Sequence, residues 1–303
     1  MASGSTILAS DLSSLRDKMN TILNGTGVLG GYNQSHSVSA NPSTGAVIDD
    51  AYLDSIYSAA AKISNFYNIS NPFTAVDAGT VVNWNHYGAS ASSFESDINT
   101  RFTAPWSYAT GWDMSVAQET TETVSNWNGS HNQVVRISFG NMTTMNAWMA
   151  AGGEIRVSAS HNDTSGNQQG TSWEQLTGEM GTYKISAKDS ENDIDSSTNK
   201  KYSDLSGSYS VIKKEFADDS DYSTNYLTIE AYLDGGDLYV RTTLADAHTA
   251  RTGSGSGYGG AWSWTGADTV PGTSTVTLNS MKMSNPAGSV NITNPTFTVT
   301  DSL

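Results

Sequence analysis

The sequence predicts an α+β protein: a small N-terminal helical region followed by a mainly antiparallel, β-sandwich-like domain carrying two short helices. Three observations lead there. Apolar residues recur at helical spacing through the first hundred positions. Beyond about residue 105 the period shifts towards two, with turn signals every 8 to 12 residues. Within that second part, Gln133 to Ala187 reads strand, short helix, Gly-Gly stop, strand, polar loop, short helix, Gly stop, strand.

The helical region is expected over residues 1–105. Leu12, Leu15, Met19, Ile22 and Leu23 define a first helix, with Ser10 as N-cap and Gly25 as its stop. Leu53, Ile56, Tyr57, Ala60 and Ile63 define a second, opened by Asp49 or Asp50. A shift of 41 residues superimposes Ile7 on Ile48, Leu12 on Leu53, Leu15 on Ile56 and Ile22 on Ile63, a weak tandem repeat. A third helix is expected over 92–102. Leu12, Leu15, Met19 and Ile22 also read as an a/d seam, which makes them candidates for self-association; the alternative is a helix packed within its own domain.

The β-rich domain is expected over residues 106–303. Val134, Arg136 and Ser138 alternate with Val135, Ile137 and Phe139, as in a half-buried strand. Asn141 caps a short helix bearing Met142, Met145, Trp148 and Met149, stopped by Gly152-Gly153. Glu154 to Ser160 is a strand, and His161 to Gly170 a loop. Thr171 and Glu174 form a T-x-x-E capping box for a second helix, and Thr182 to Ala187 returns as a strand. Further strands follow at 209–216, 226–233, 238–244, 273–283 and 289–300. Asp234-Gly235-Gly236-Asp237 closes a hairpin.

Fifteen Lys and Arg face thirty Asp and Glu, for a formal charge of -15. Such a surface repels phosphates and anionic lipid heads, so neither nucleic acid nor membrane is an expected partner. No apolar run is long enough to span a bilayer, and the first twenty residues lack the basic and apolar regions of a signal peptide. There is no cysteine, so disulfides and thiolate metal sites are excluded. The seven Asn-x-Ser/Thr sequons are no more than a chain so rich in Asn, Ser and Thr produces by chance.

No catalytic motif is present: no G-x-S-x-G, no Walker A loop, no H-E-x-x-H. The five histidines are scattered singly and read as turn or surface residues, so no cofactor is expected. Asp189, Glu191, Asp193 and Asp195 alternate as calcium ligands can, yet Ile194 and Lys200 stand where an EF-hand needs Gly and Glu. A solvated acidic loop is the plainer reading, as it is for Asp218, Asp219 and Asp221. The stretch Thr252 to Gly266 combines a glycine-rich backbone with Tyr258, Trp262 and Trp264, flat faces of the kind that take sugar rings. The alternative places both Trp in the core from a strand, with the glycines as a linker.

The run Val134 to Ser160, ending N-A-W-M-A-A-G-G-E-I-R-V-S-A-S, continues as G-T-S-W-E-Q-L-T-G-E-M-G-T. It resembles a block found in structural proteins of tailed bacteriophages, several from phages of marine cyanobacteria. The opening S-D-L-S-S-L-R-D-K-M-N-T-I-L-N-G-T-G-V-L-G-G-Y-N-Q-S and the closing T-S-T-V-T-L-N-S-M and G-S-V-N-I-T-N-P-T-F are similar to the same proteins. The resemblance touches most of the chain, from about Leu8 to Phe297, and carries no catalytic residues. It implies a non-enzymatic virion protein of the tail, neck or fibre apparatus, assembled in the host cytoplasm with other virion proteins and with copies of itself, a trimer or hexamer by analogy with closed virion symmetry. The alternatives are a capsid decoration protein or an adhesin for host surface polysaccharide, and then a polysaccharide depolymerase.

Overall fold

The computed structural model describes residues 9–27, 30–36, 38–40, 49–67, 69–77, 84–103, 114–187, 201–249, 252–257, 260–265, 268–283 and 290–303, with the backbone alone at 9–11, 84–90, 114, 252–253, 257, 260, 262–265 and 283. Its architecture is α+β: helices first, then two antiparallel sheets of four and five strands. Two compact units divide it. One gathers residues up to 115 with 140–153 and 282–294; the other holds 116–139, 154–281 and 295–303.

The first unit is built on α1 (Ala9–Asn24), α2 (Asp50–Tyr67) and α3 (Trp84–Thr103). The third helix begins earlier than the apolar spacing indicated. Leu12, Leu15, Met19, Ile22 and Leu23 enter one core with Tyr52, Leu53, Ile56, Ile63, Phe94, Ile98 and Phe102. The tandem positions Leu12/Leu53, Leu15/Ile56 and Ile22/Ile63 are all buried there; Ile7 and Ile48 lie outside the described residues. Asp49 caps α2, its Oδ1 accepting from Tyr52 N at 2.8 Å. The last carbonyls of α1 are answered by the returning chain: Tyr32 N donates to Ile22 O at 2.8 Å and Gln34 N to Leu23 O at 2.6 Å.

That packing corrects the seam expected to join copies. Leu12, Met19 and Ile22 are 0% exposed and Leu15 1%, all against their own chain. A second copy could reach them only by opening the core, so these four side chains are not a surface for self-association.

The helix α4 (Met142–Ala150) belongs to this first unit although it follows the first strands in sequence, and Ala150, Ala151 and Val290 join the same core. Asn141 caps it as expected, accepting from Thr144 N at 2.8 Å. The Gly-Gly stop also forms: Gly152 has φ +82°, and Gly153 N donates to Trp148 O at 3.0 Å. The second glycine is required by packing, because a Cβ there would sit 2.3 Å from the Trp148 ring.

In the second unit the four-stranded sheet runs β1 (Met114–Trp127), β10 (Val270–Met283), β3 (Glu154–Asn162), β4 (Thr182–Ile185). The five-stranded sheet runs β11 (Thr296–Asp301), β2 (Ser130–Ser138), β7 (Asp237–Ala245), β6 (Tyr226–Asp234), β5 (Ser210–Phe216). Helix α5 (Gln168–Met180) lies along β3 and reaches β5 and β6 of the other sheet. Val135 and Ile137, Leu238 and Val240, Ile155 and Val157, Val276 and Leu278 turn inward at every second position. Asp234 and Asp237 pair across Gly235 and Gly236, both at positive φ, so the predicted hairpin turn holds.

Five local expectations fail. Ser10 lies inside α1 rather than capping it, and the strand expected over 289–300 is confined to β11 (Thr296–Asp301). The T-x-x-E pair is not a capping box: Asn167 caps α5 through Gly170 N at 2.8 Å, and Glu174 instead accepts from Asp163 N at 2.8 Å. His161 is a buried residue of β3, its Nδ1 2.9 Å from Ser274 Oγ, which also accepts from Trp127 Nε1 at 3.0 Å. The stretch Thr252 to Gly266 is largely paired strand: β8 (Thr252–Gly257) and β9 (Gly260–Thr265) form a two-stranded ribbon.

Candidate functional site

The two sheets of the second unit present contrasting outward faces. On the five-stranded sheet, register places Arg136, Tyr239 and Tyr232 in one row and Val134, Arg241, Glu230 and Val211 in the next. Tyr232 and Tyr239 stack at 4.5 Å with an interplanar angle of 2°. Tyr209 meets Tyr232 edge-on at 4.6 Å, and the Arg241 guanidinium lies 4.2 Å above the Tyr209 ring. Arg241 pairs with Glu230 at 2.7 Å and Arg136 with Asp237 at 2.6 Å. At the β5 edge, Lys214 Nζ stands 4.4 Å from the Phe216 ring centre and 4.0 Å from that of Tyr226. Burial raises the Tyr209 and Tyr232 hydroxyls above their usual range. Composition hid this face, because Tyr209, Tyr226, Tyr232 and Tyr239 are spaced irregularly along the chain; the symmetric Tyr232-Leu-Asp-Gly-Gly-Asp-Leu-Tyr239 about the hairpin turn was the available signal.

The outward face of the four-stranded sheet carries hydroxyls instead. Thr121 bridges to Thr277 at 3.2 Å and Ser125 to Thr273 at 2.8 Å. Thr277 stands opposite Ser158 and Thr275 opposite Ser160. Arg156 pairs with Glu154 at 2.8 Å at one end of these rows. These rungs are the hydrated side of a sheet whose other side is core.

In the β8–β9 ribbon, Gly255 stands opposite Trp262 and Gly253 opposite Trp264. The period of two puts positions 262 and 264 on the same side, each facing a glycine. Tyr258 lies outside the described residues, as do Asp189, Glu191, Asp193 and Asp195. Among the described residues, no group of three or more His, Asp or Glu is arranged to hold a metal ion. Asp219 is engaged structurally, accepting from Gln168 Nε2 at 3.0 Å and from Asp221 N at 2.9 Å.

Asp246 is a buried carboxylate that sequence patterning missed. It is 5% exposed, and its Oδ2 accepts from Gln169 Nε2 at 3.0 Å. Burial, with Asp268 nearby, pushes its pKa up to about 6 against the opposing effects of Asn225 and His248. In the first unit a groove of about 490 Å³ is lined by Asn20, Asn24, Asn33, Gln34, Ser35, His36 and Val38. Its principal amides already have partners: Gln34 is bonded both ways to the Asn291 backbone at 2.8 and 2.9 Å, and Asn24 Oδ1 accepts from His36 N at 2.8 Å.

Comparison of the chain with protein-family models, curated proteins and solved structures returns no match.

Proposed function

We propose that the chain is a non-enzymatic structural component of a tailed-phage virion, in the tail, neck or fibre apparatus, assembling with copies of itself and with other virion proteins. The observation that carries this reading is the nature of the run Val134 to Ser160 and of the following G-T-S-W-E-Q-L-T-G-E-M-G-T, Gly170 to Thr182, which resemble virion structural proteins. Its distinctive residues act as folding determinants: Asn141 caps α4, Gly153 seats Trp148 and Gly181 ends α5. A resemblance resting on such residues is one of architecture, which supports a scaffold role. Mass spectrometry of purified phage particles tests it: peptides of this chain are expected at multi-copy abundance. Their absence from particles, with the chain present in the infected lysate, sinks the proposal.

A second reading, an adhesin or capsid decoration protein binding host surface polysaccharide, is favoured by the ribbon register that sets Trp262 and Trp264 on one side opposite glycines. A glycan array separates the two. Retention lost on replacing Tyr258, Trp262 and Trp264 by Ala supports binding at the ribbon; retention unchanged by those replacements removes that site.

A further inference from the structure

We infer, building on the assembling role proposed above, that the outward face of the five-stranded sheet is the surface through which two copies of this chain meet. Tyr209, Tyr226, Tyr232, Tyr239 and Phe216 converge there with Val134 and Val211. The hydroxyl rows of the other sheet have no such aromatic cluster. Among the described residues, four large apolar side chains are strongly exposed, and two of them, Val211 at 41% and Phe216 at 49%, lie on this face. Tyr, Phe and Arg are the residue types that enrich the centres of protein interfaces, because they bring large contact area at low entropic cost.

Charge singles out a second copy as the occupant. The chain as a whole carries fifteen cations against thirty acids. On this face, however, Arg136, Arg241 and Lys214 are matched by Glu230, Asp234 and Asp237 on the same four strands. Two strongly acidic molecules repel least where each is locally neutral, and a face holding both signs is complementary to itself. Size agrees. Five strands at about 4.8 Å spacing and nine residues at about 3.4 Å rise give roughly 700 Å² in plan, close to the ~800 Å² per partner of a standard interface.

Geometry narrows the mode of contact. Strand-to-strand addition at β5 is obstructed by the bulge between Val211 and Lys213 and by the inward Lys213, held by Glu215. The copies therefore meet face to face, as two stacked sheets do. The same geometry disfavours a sugar here. Tyr232 and Tyr239 cover one another, Arg241 covers Tyr209, and Lys214 covers Phe216 and Tyr226, so these rings offer few open faces for stacking.

Sedimentation velocity of the full chain over a range of concentrations tests the proposal, with Phe216→Asp and Val211→Asp on the face and Thr275→Asp on the hydroxyl rows. The wild type and Thr275→Asp are expected to self-associate. Each face variant should weaken association about tenfold or more, with an unchanged circular dichroism spectrum. Association of unaltered strength in both folded face variants overturns the surface and leaves the assembling role standing. A wild type that stays monomeric throughout overturns the surface outright, and particle composition then decides the virion role separately. A monomer retained on glycans through these same residues overturns the second copy as occupant.

Discussion

Single residues set several properties that no pattern of hydrophobicity announces. Asp246 has its folded pKa raised to about 6 from an ordinary carboxylate value near 4, chiefly by burial. A raised acid pKa means the folded state holds a proton that the unfolded chain has released. Its contribution is therefore most favourable below the unfolded pKa and falls away as pH rises through about 6. Asp246→Asn, which keeps an oxygen for Gln169, should flatten this part of the stability profile between about pH 4 and 7 and raise stability at neutral pH by about 2 kcal/mol. Urea melts at a series of pH values check it, and parallel pH profiles for the two proteins would refute it. Gly153 is constrained in a different way, by the Trp148 ring that occupies the place of a side chain. Gly153→Ala should cost about 1–3 kcal/mol, visible as a lower midpoint and altered Trp fluorescence.

Elements show where a sequence speaks and where it does not. The Asn141 cap, the Gly stops and the DGGD hairpin were legible because each depends on residues within a few positions of one another. Strand β1 was missed: Met-Ser-Val-Ala-Gln-Glu-Thr-Thr-Glu-Thr-Val lies at a sheet edge with few buried side chains, so burial imposes little apolar alternation. The T-x-x-E motif misled because Asn167 stands four residues upstream and takes the cap, leaving Thr171 Oγ1 to bond the Asn167 carbonyl at 3.0 Å inside the first turn. Asn167→Ala should accordingly cost about 1 kcal/mol while Thr171→Ala costs a few tenths. Comparable losses from the two substitutions in chemical denaturation would restore the capping box. The tyrosine row escaped detection for a third reason, since it exists only once β2, β7, β6 and β5 are in register. The a/d seam of α1 was read correctly as apolar, but spacing alone cannot say whether a stripe faces its own chain or another.

At the scale of the whole molecule, the sequence correctly placed helices before sheets, but a single boundary near residue 105 does not describe the two units. The first also takes in α4 and the described part of 282–294. In its core Ala150, Ala151 and Val290 are buried with Leu12 and Phe66. A fragment ending at residue 115 lacks those side chains. It should melt less cooperatively than the first unit does in the intact protein, as hydrogen exchange of α1 and α2 would report; equal protection in fragment and full chain would contradict this. Such an interleaved core also fixes a schedule. The ribosome delivers α1, α2 and α3 well before Val290, which joins their core from 187 residues beyond the end of α3. At about 5–20 residues per second, the early helices wait tens of seconds for their final neighbour. During that interval their apolar faces are incompletely covered, so the nascent chain has its strongest need of a chaperone until Val290 emerges.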